Sequence, residues 1–229
     1  MSLYNYQIYN LYRSTVMSTI DAQREDGGLP EMIPGYLVDA EFLIPEWESA
    51  SVIVPWQLYK WYGDMNIMRK AYDMMKKYVE YLQGQSDGQI VSSVLGDWVD
   101  LGPNPPGRAQ LTPNSLTATA IYYYDVQLLG KMATLLGKND DASQYENLAT
   151  VIKAAFNKHF FNETTRVYST GSQTAMSMPL CVGLVDEQYK KQVIKNLVDS
   201  IYANNKALTA GDIGFHFLVQ AWMKEVPRN

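Results

Sequence analysis

The sequence predicts an all-α chain built as an α/α toroid, incomplete as a ring and carrying long loops at one end. Three observations point there. Apolar residues recur at spacings of three and four in one stretch after another, as in Ile8, Leu11, Tyr12, Val16, Ile20 and again in Met65, Met68, Tyr72, Met75, Val79, Leu82, the repeat of a helix that buries one face. The connections between these stretches alternate between tight and long. The long ones hold the Gly, Pro and Trp clusters.

The periodicity predicts helices over residues 5–23, 49–62, 64–83, 114–136, 140–158, 172–183, 187–203 and 212–224. Gly63-Asp64, Gly137 to Asp140 and Gly183 to Asp186 are tight turns, in which Gly ends one helix and Asp or Asn caps the next. Longer connections lie at 24–48, 84–113, 159–171 and 204–211, and Gln89-Ile90-Val91 and Arg166-Val167-Tyr168 read as small hairpins within them. Helices joined by tight turns run antiparallel, so the tight turns gather at one end and the long connections at the other. The presumed inward helices start at 49, 114, 172 and 212, too irregular a spacing for an array of helical repeats. A toroid of helical hairpins tolerates unequal loops. Its usual ring closes with six hairpins and this chain supplies four.

At 229 residues and 47% hydrophobic, the chain can build one sizeable core, so residues 1–229 read as one domain, with Met1-Ser2-Leu3 as an expression leader. The net charge of −5 comes without a Lys/Arg-rich run, which argues against nucleic acid or an anionic lipid surface and in favour of an uncharged partner. Cys181 is the single cysteine; it cannot form an internal disulfide and is expected in the core. No Cys/His spacing suits a metal, and there is no phosphate loop or dinucleotide fingerprint, so neither metal nor cofactor is expected. No apolar run is long enough to insert in a membrane. The chain stops at Val226-Pro227-Arg228-Asn229 just after a helical pattern. Both ends therefore read as cut from a longer protein, and a broken ring predicts self-association through exposed apolar faces.

Two loops set an indole beside carboxylates. Trp47 lies between Glu46 and Glu48; Trp98 follows Asp97 and precedes Asp100. Sugars are bound this way, because an indole stacks on the C–H face of a pyranose while carboxylates accept from its hydroxyls. Two structural alternatives stay open: the indoles could plug helix ends, and Glu48 with Ser49 could cap the helix that follows. Trp56 lies toward the loop end of its helix, whereas Trp61, near the plain end, is expected to pack. His216, early in the last helix, and Gln173, at the start of another, could face a central cavity; His159 sits at a helix end, where the last carbonyls would hold it. Tyr122-Tyr123-Tyr124 point in different directions and cannot form one stripe.

The order of several stretches resembles family 78 glycoside hydrolases, the bacterial α-L-rhamnosidases. The pieces are Asp26-Gly27-Gly28-Leu29-Pro30 with Pro34; Pro45-Glu46-Trp47-Glu48-Ser49-Ala50; Val54-Pro55-Trp56-Gln57-Leu58-Tyr59 leading to Tyr62-Gly63-Asp64; Gly96-Asp97-Trp98; Gly171-Ser172-Gln173-Thr174-Ala175; and Leu208-Thr209-Ala210-Gly211. The resemblance implies part of an (α/α)6 barrel that hydrolyses terminal α-L-rhamnosyl linkages with inversion, using a Glu acid and a Glu base. It implies that Trp47 and Trp98 contact sugar and that Asp97 supports the same pocket; Glu48, Trp56 and His216 are the further substrate-binding candidates, from their positions toward the loop end. The family's acidic motif, an Asp-Cys-Pro-Gln-Arg-like run, and its Thr-Thr-x-Trp-Glu-like motif are both missing, so the acid and base are expected outside this chain. Another α/α-toroid glycosidase, of glucosidase or trehalase type, and a non-catalytic scaffold binding carbohydrate or protein are the competing readings. Periplasmic, secreted and cytoplasmic locations in a bacterium all remain open.

Overall fold

The computed structural model describes residues 6–33, 43–203 and 205–225. Met1-Ser2-Leu3, Pro34 and the terminal Val226-Pro227-Arg228-Asn229 lie outside them. Helices dominate: α1 (Tyr9–Ala22), α2 (Pro45–Glu48), α3 (Ala50–Tyr62), α4 (Met65–Gln85), α5 (Asn114–Leu135), α6 (Asn139–Phe160), α7 (Gln173–Val182), α8 (Glu187–Ala203) and α9 (Asp212–Glu225). Strands β1 (Phe161–Asn162) and β2 (Val167–Tyr168) pair antiparallel, with Phe161 opposite Tyr168. The expected hairpin at 89–91 reduces to one bridge between Asp87 and Ile90, since Gly88 and Gln89 both take left-handed backbone and close the turn in two residues.

The Gly63-Asp64 turn has the anticipated chemistry in full, and Gly137 and Gly183 take the left-handed backbone expected of the other two. Gly63 and Gly183 end α3 and α7 in the left-handed conformation, which costs glycine little because it has no Cβ. Asp64 caps α4, its carboxylate accepting from the N–H groups of Asn66 and Ile67.

The chain divides into two compact units. One holds Met1–Ser86 and Tyr124–Thr150, the other Asp87–Tyr123 and Val151–Asn229. In the first, α1, α3 and α4 pack on one another and α2 packs on α3. The apolar face of α4 is its anchor: Ile67, Met68, Ala71, Tyr72, Met75, Tyr78, Val79 and Leu82 are all buried, at the spacing of three and four read from the sequence. α1 departs from its pattern. Val16 is buried, but Leu11 is 63% exposed. Trp61 was expected to pack and is instead 42% exposed; it stands in the last turn of α3, where its neighbour Tyr62 takes the edge-on contact with Tyr9 at 5.2 Å.

In the second unit α7 packs on both α8 and α9, and is buried along nearly its whole length. Phe156, Phe160 and Tyr168 form an aromatic core beneath the hairpin. Cys181 is half-buried rather than in the core, its thiol 3.2 Å from the Phe217 carbonyl. Tyr122 and Tyr123 diverge as expected, toward Gln89 and toward the Gly183 carbonyl respectively. No helix among the described residues is long and apolar enough to cross a membrane.

Candidate functional site

The two indole-bearing loops belong to different units. In the first unit, Pro45 opens the four-residue helix α2, and the Glu48 carboxylate reaches back to accept the Ile44 N–H at 2.9 Å. Its other oxygen accepts from the Tyr78 hydroxyl at 3.3 Å. Glu48 is thus turned into the protein, and burial pushes its pKa up to about 7, against the lowering pull of the Ile44 N–H, Tyr78 and Arg24. The Ser49 hydroxyl and the Asp125 carboxyl group on α5 share a short hydrogen bond. Neither residue caps α3, whose first turn has no side-chain cap; the capping alternative is corrected because both side chains are spent on holding α2. Pro45, Glu46, Glu48 and Ser49 are buried, while Trp47 between them is half-exposed. Trp56, two turns into α3, is half-buried, with its ring 5.6 Å from that of Tyr59.

In the second unit Asp97 is almost fully buried and its carboxylate accepts three hydrogen bonds. The Gly214 N–H donates to Oδ1 at 2.7 Å; the Gly211 N–H and the Thr174 hydroxyl donate to Oδ2 at 2.9 and 2.5 Å. The carboxylate therefore caps α9 from another loop, where the unpaired N–H groups and dipole of a helix start favour negative charge. Burial raises its pKa even so, the three donors offsetting only part of the desolvation. Gln173 acts beside it, donating to the Ala207 carbonyl at 2.7 Å and accepting the Thr209 N–H at 2.9 Å. Asp100 accepts the Gln110 and Leu111 N–H groups. Trp98, flanked by these clamps, is half-buried, and its carbonyl accepts the Asp212 N–H. Val99 after it has φ of 63°, a strained conformation for a β-branched residue.

His216 is exposed on α9 and bonds to Gln220 one turn on, at 2.5 Å; His159 is exposed at the end of α6, edge-on to Phe160. Two clefts stand out among the described residues. One, of about 380 Å³ in the first unit, is lined by Tyr9, Arg13, Asp64 and Lys70; the other, of about 360 Å³ in the second, by Leu101, Thr170, Ser172, Gln173 and Thr209. None of Trp47, Glu48, Trp56, Asp97, Trp98 and His216 lines either cleft. The clefts are shallow and open, and the indoles are the better guide to sugar chemistry. Among the described residues no cluster of His, Cys, Asp or Glu is arranged to hold a metal ion.

Sequence reasoning did not single out Asp125, Tyr78 and Thr174. Asp125 and Tyr78 occupy buried helix faces, where a polar residue breaking the apolar pattern is the only sign, and Thr174 lay unremarked within the Gly171–Ala175 motif.

Residues 1–228 match the family described as the bacterial alpha-L-rhamnosidase 6 hairpin glycosidase domain. An alpha-L-rhamnosidase of Formosa agariphila is 29% identical over 214 residues, which are 93% of this chain and 23% of that protein. The solved alpha-L-rhamnosidase of Dictyoglumus thermophilum superposes with a TM-score of 0.92 at 33% identity, over 98% of this chain and 26% of that one. The Streptomyces avermitilis alpha-L-rhamnosidase, solved in complex with L-rhamnose, gives 0.84 at 26% identity, over 96% of this chain and 22% of that one. The chain thus spans about a quarter of the length of the relatives it matches.

Proposed function

Since the chain belongs to the bacterial alpha-L-rhamnosidase six-hairpin glycosidase family, we propose that it is the sugar-binding part of an inverting glycosidase acting on terminal α-L-rhamnosyl residues. The observation that carries the reading is the match in fold over nearly the whole chain to a rhamnosidase at a TM-score of 0.92, joined to two half-exposed indoles on loops clamped by buried carboxyl groups.

In this reading Trp47 and Trp98 are each sugar-stacking aromatics of their own unit, Glu48 and Asp97 hold the loops that carry them, and Trp56 and His216 are further candidate sugar contacts. Inversion needs a general acid and a general base roughly 6.5–9.5 Å apart, with room for water between them. Glu48, Asp97 and Asp100 accept from N–H or O–H donors and Asp125 is bonded to the Ser49 hydroxyl, which leaves them poorly placed to exchange protons with a substrate. That supports an acid and a base supplied by other segments of a longer protein. Substrate is a rhamnose-containing glycoside or glycan, and no cofactor takes part.

Hydrolysis of p-nitrophenyl α-L-rhamnopyranoside, compared between this chain and a polypeptide extended at both ends, tests the proposal. Release of nitrophenol by the extended form alone is expected. Activity in neither form, with no rhamnose binding, would overturn it.

A further inference from the structure

Asp125 sits in the middle of α5 with no exposed surface. Its Oδ2 bonds to the Ser49 hydroxyl, 76 residues away in sequence, and its Oδ1 has no partner. Among the described residues no basic side chain pairs with it. An ionised carboxylate there would be both desolvated and unpaired, so the acid keeps its proton. Beside it, the buried Tyr78 hydroxyl donates to Glu48 at 3.3 Å.

We propose that Asp125 is a positioning residue for Trp47, acting as a protonated donor through Ser49. The proton sets the direction of the bond to Ser49: Asp125 donates to the Ser49 oxygen, whereas an ionised carboxylate would be a buried charge without a cation. Tyr78 donates to Glu48 Oε2, and Glu48 Oε1 receives the Ile44 N–H. Bonds from α5 and α4 thus fasten α2 at both ends, at Ser49 after it and, through Glu48, at Ile44 before it. Trp47 is the one residue of Ile44–Ser49 left half-exposed, so the direction it takes is set by a frame that Asp125 anchors.

The test follows the Trp47 indole N–H signal in ¹H–¹⁵N spectra of the chain, identified by its loss in Trp47→Phe, alongside rhamnose titration. The sugar arm rests on the function proposed above; the indole arm does not. Asp125→Asn should leave the signal in place, because its amide donates to Ser49 as the protonated acid does. Asp125→Ala and Ser49→Ala should displace or broaden it, and lower rhamnose affinity about tenfold, with Asp125→Asn within about twofold of the parent. Should Asp125→Ala fail to fold, Ser49→Ala and Asp125→Asn carry the comparison. The inference is overturned if Asp125→Asn displaces the signal as far as a residue that removes the link, or if Ser49→Ala leaves it unmoved. A parent chain that binds no rhamnose, but whose indole signals follow the expected pattern, supports the positioning role and removes the sugar reading.

Discussion

Asp97 accepts from three donors, and an amide in its place would turn an N–H₂ toward at least one of them. Asp97→Asn should therefore lower stability by about 2–4 kcal/mol, one or two buried donors being left unsatisfied, which urea unfolding would read; a midpoint equal to the parent's would contradict the clamp. Glu48 gives a pH dependence whose sign follows from burial. Its pKa rises from 4.5 to about 7 on folding, so the folded protein holds a proton that the unfolded chain releases. The associated stability is fully present below about pH 4.5 and is lost as pH rises through about 7, amounting to roughly 3 kcal/mol. Unfolding measured between pH 4.5 and 8 should show this decline in the parent and a flatter profile in Glu48→Gln. For sugar contact, Trp47→Ala and Trp98→Ala should each weaken rhamnose binding by about 1–3 kcal/mol, and calorimetric affinities unchanged in both would refute the stacking roles. At this scale the sequence was half legible. Indoles beside acids could be seen, but Glu48 and Asp97 face inward to backbone donors, and only the folded chain reveals which way a loop carboxylate turns. Asp125 was hidden for the complementary reason: its partner is 76 residues away.

α9 shows how an element can be fixed by its neighbours rather than by its own composition. Glycine within a helix ordinarily costs about 1 kcal/mol relative to alanine, yet a Cβ at Gly214 would overlap the Thr174 hydroxyl and come 2.7 Å from Asp97 Oδ2. Gly214→Ala should thus destabilise the protein despite the better helix former, and a raised melting temperature would show that the close approach is not needed. The helices themselves were well read because their signal is local: the apolar spacing of α4 and the Gly-Asp turn before it specify both the element and its start. α2 escaped notice because four residues carry no period, and its helix depends on Pro45 and on Glu48 folding back to Ile44. Leu11 and Trp61 misled because periodicity names a face but not what covers it.

Across the whole molecule, the alternation of tight and long connections was the legible feature, since Gly63, Gly137 and Gly183 all take the left-handed backbone that glycine adopts at least cost. The partition into two units was not, because α5 and α6 each give residues to both and no linker composition marks the division. Exposed Phe215, Trp222 and Met223 on α9 lead us to expect that the isolated chain self-associates; sedimentation over a hundredfold range of concentration would show it, and a single monomer throughout would argue otherwise. The Asp97 clamp also sets a timetable. Its bonds to Gly211 and Gly214 join positions 114 and 117 residues apart, so a ribosome adding about 5–20 residues per second needs roughly 6–23 s between making the acceptor and making its donors. Through that interval the Gly96–Asp100 loop has no α9 to cap, and Val99 is held only by nearby bonds such as that of its N–H to the Gly107 carbonyl. During synthesis this unit cannot close before α9 is made, and the Trp98 loop takes its final form only then.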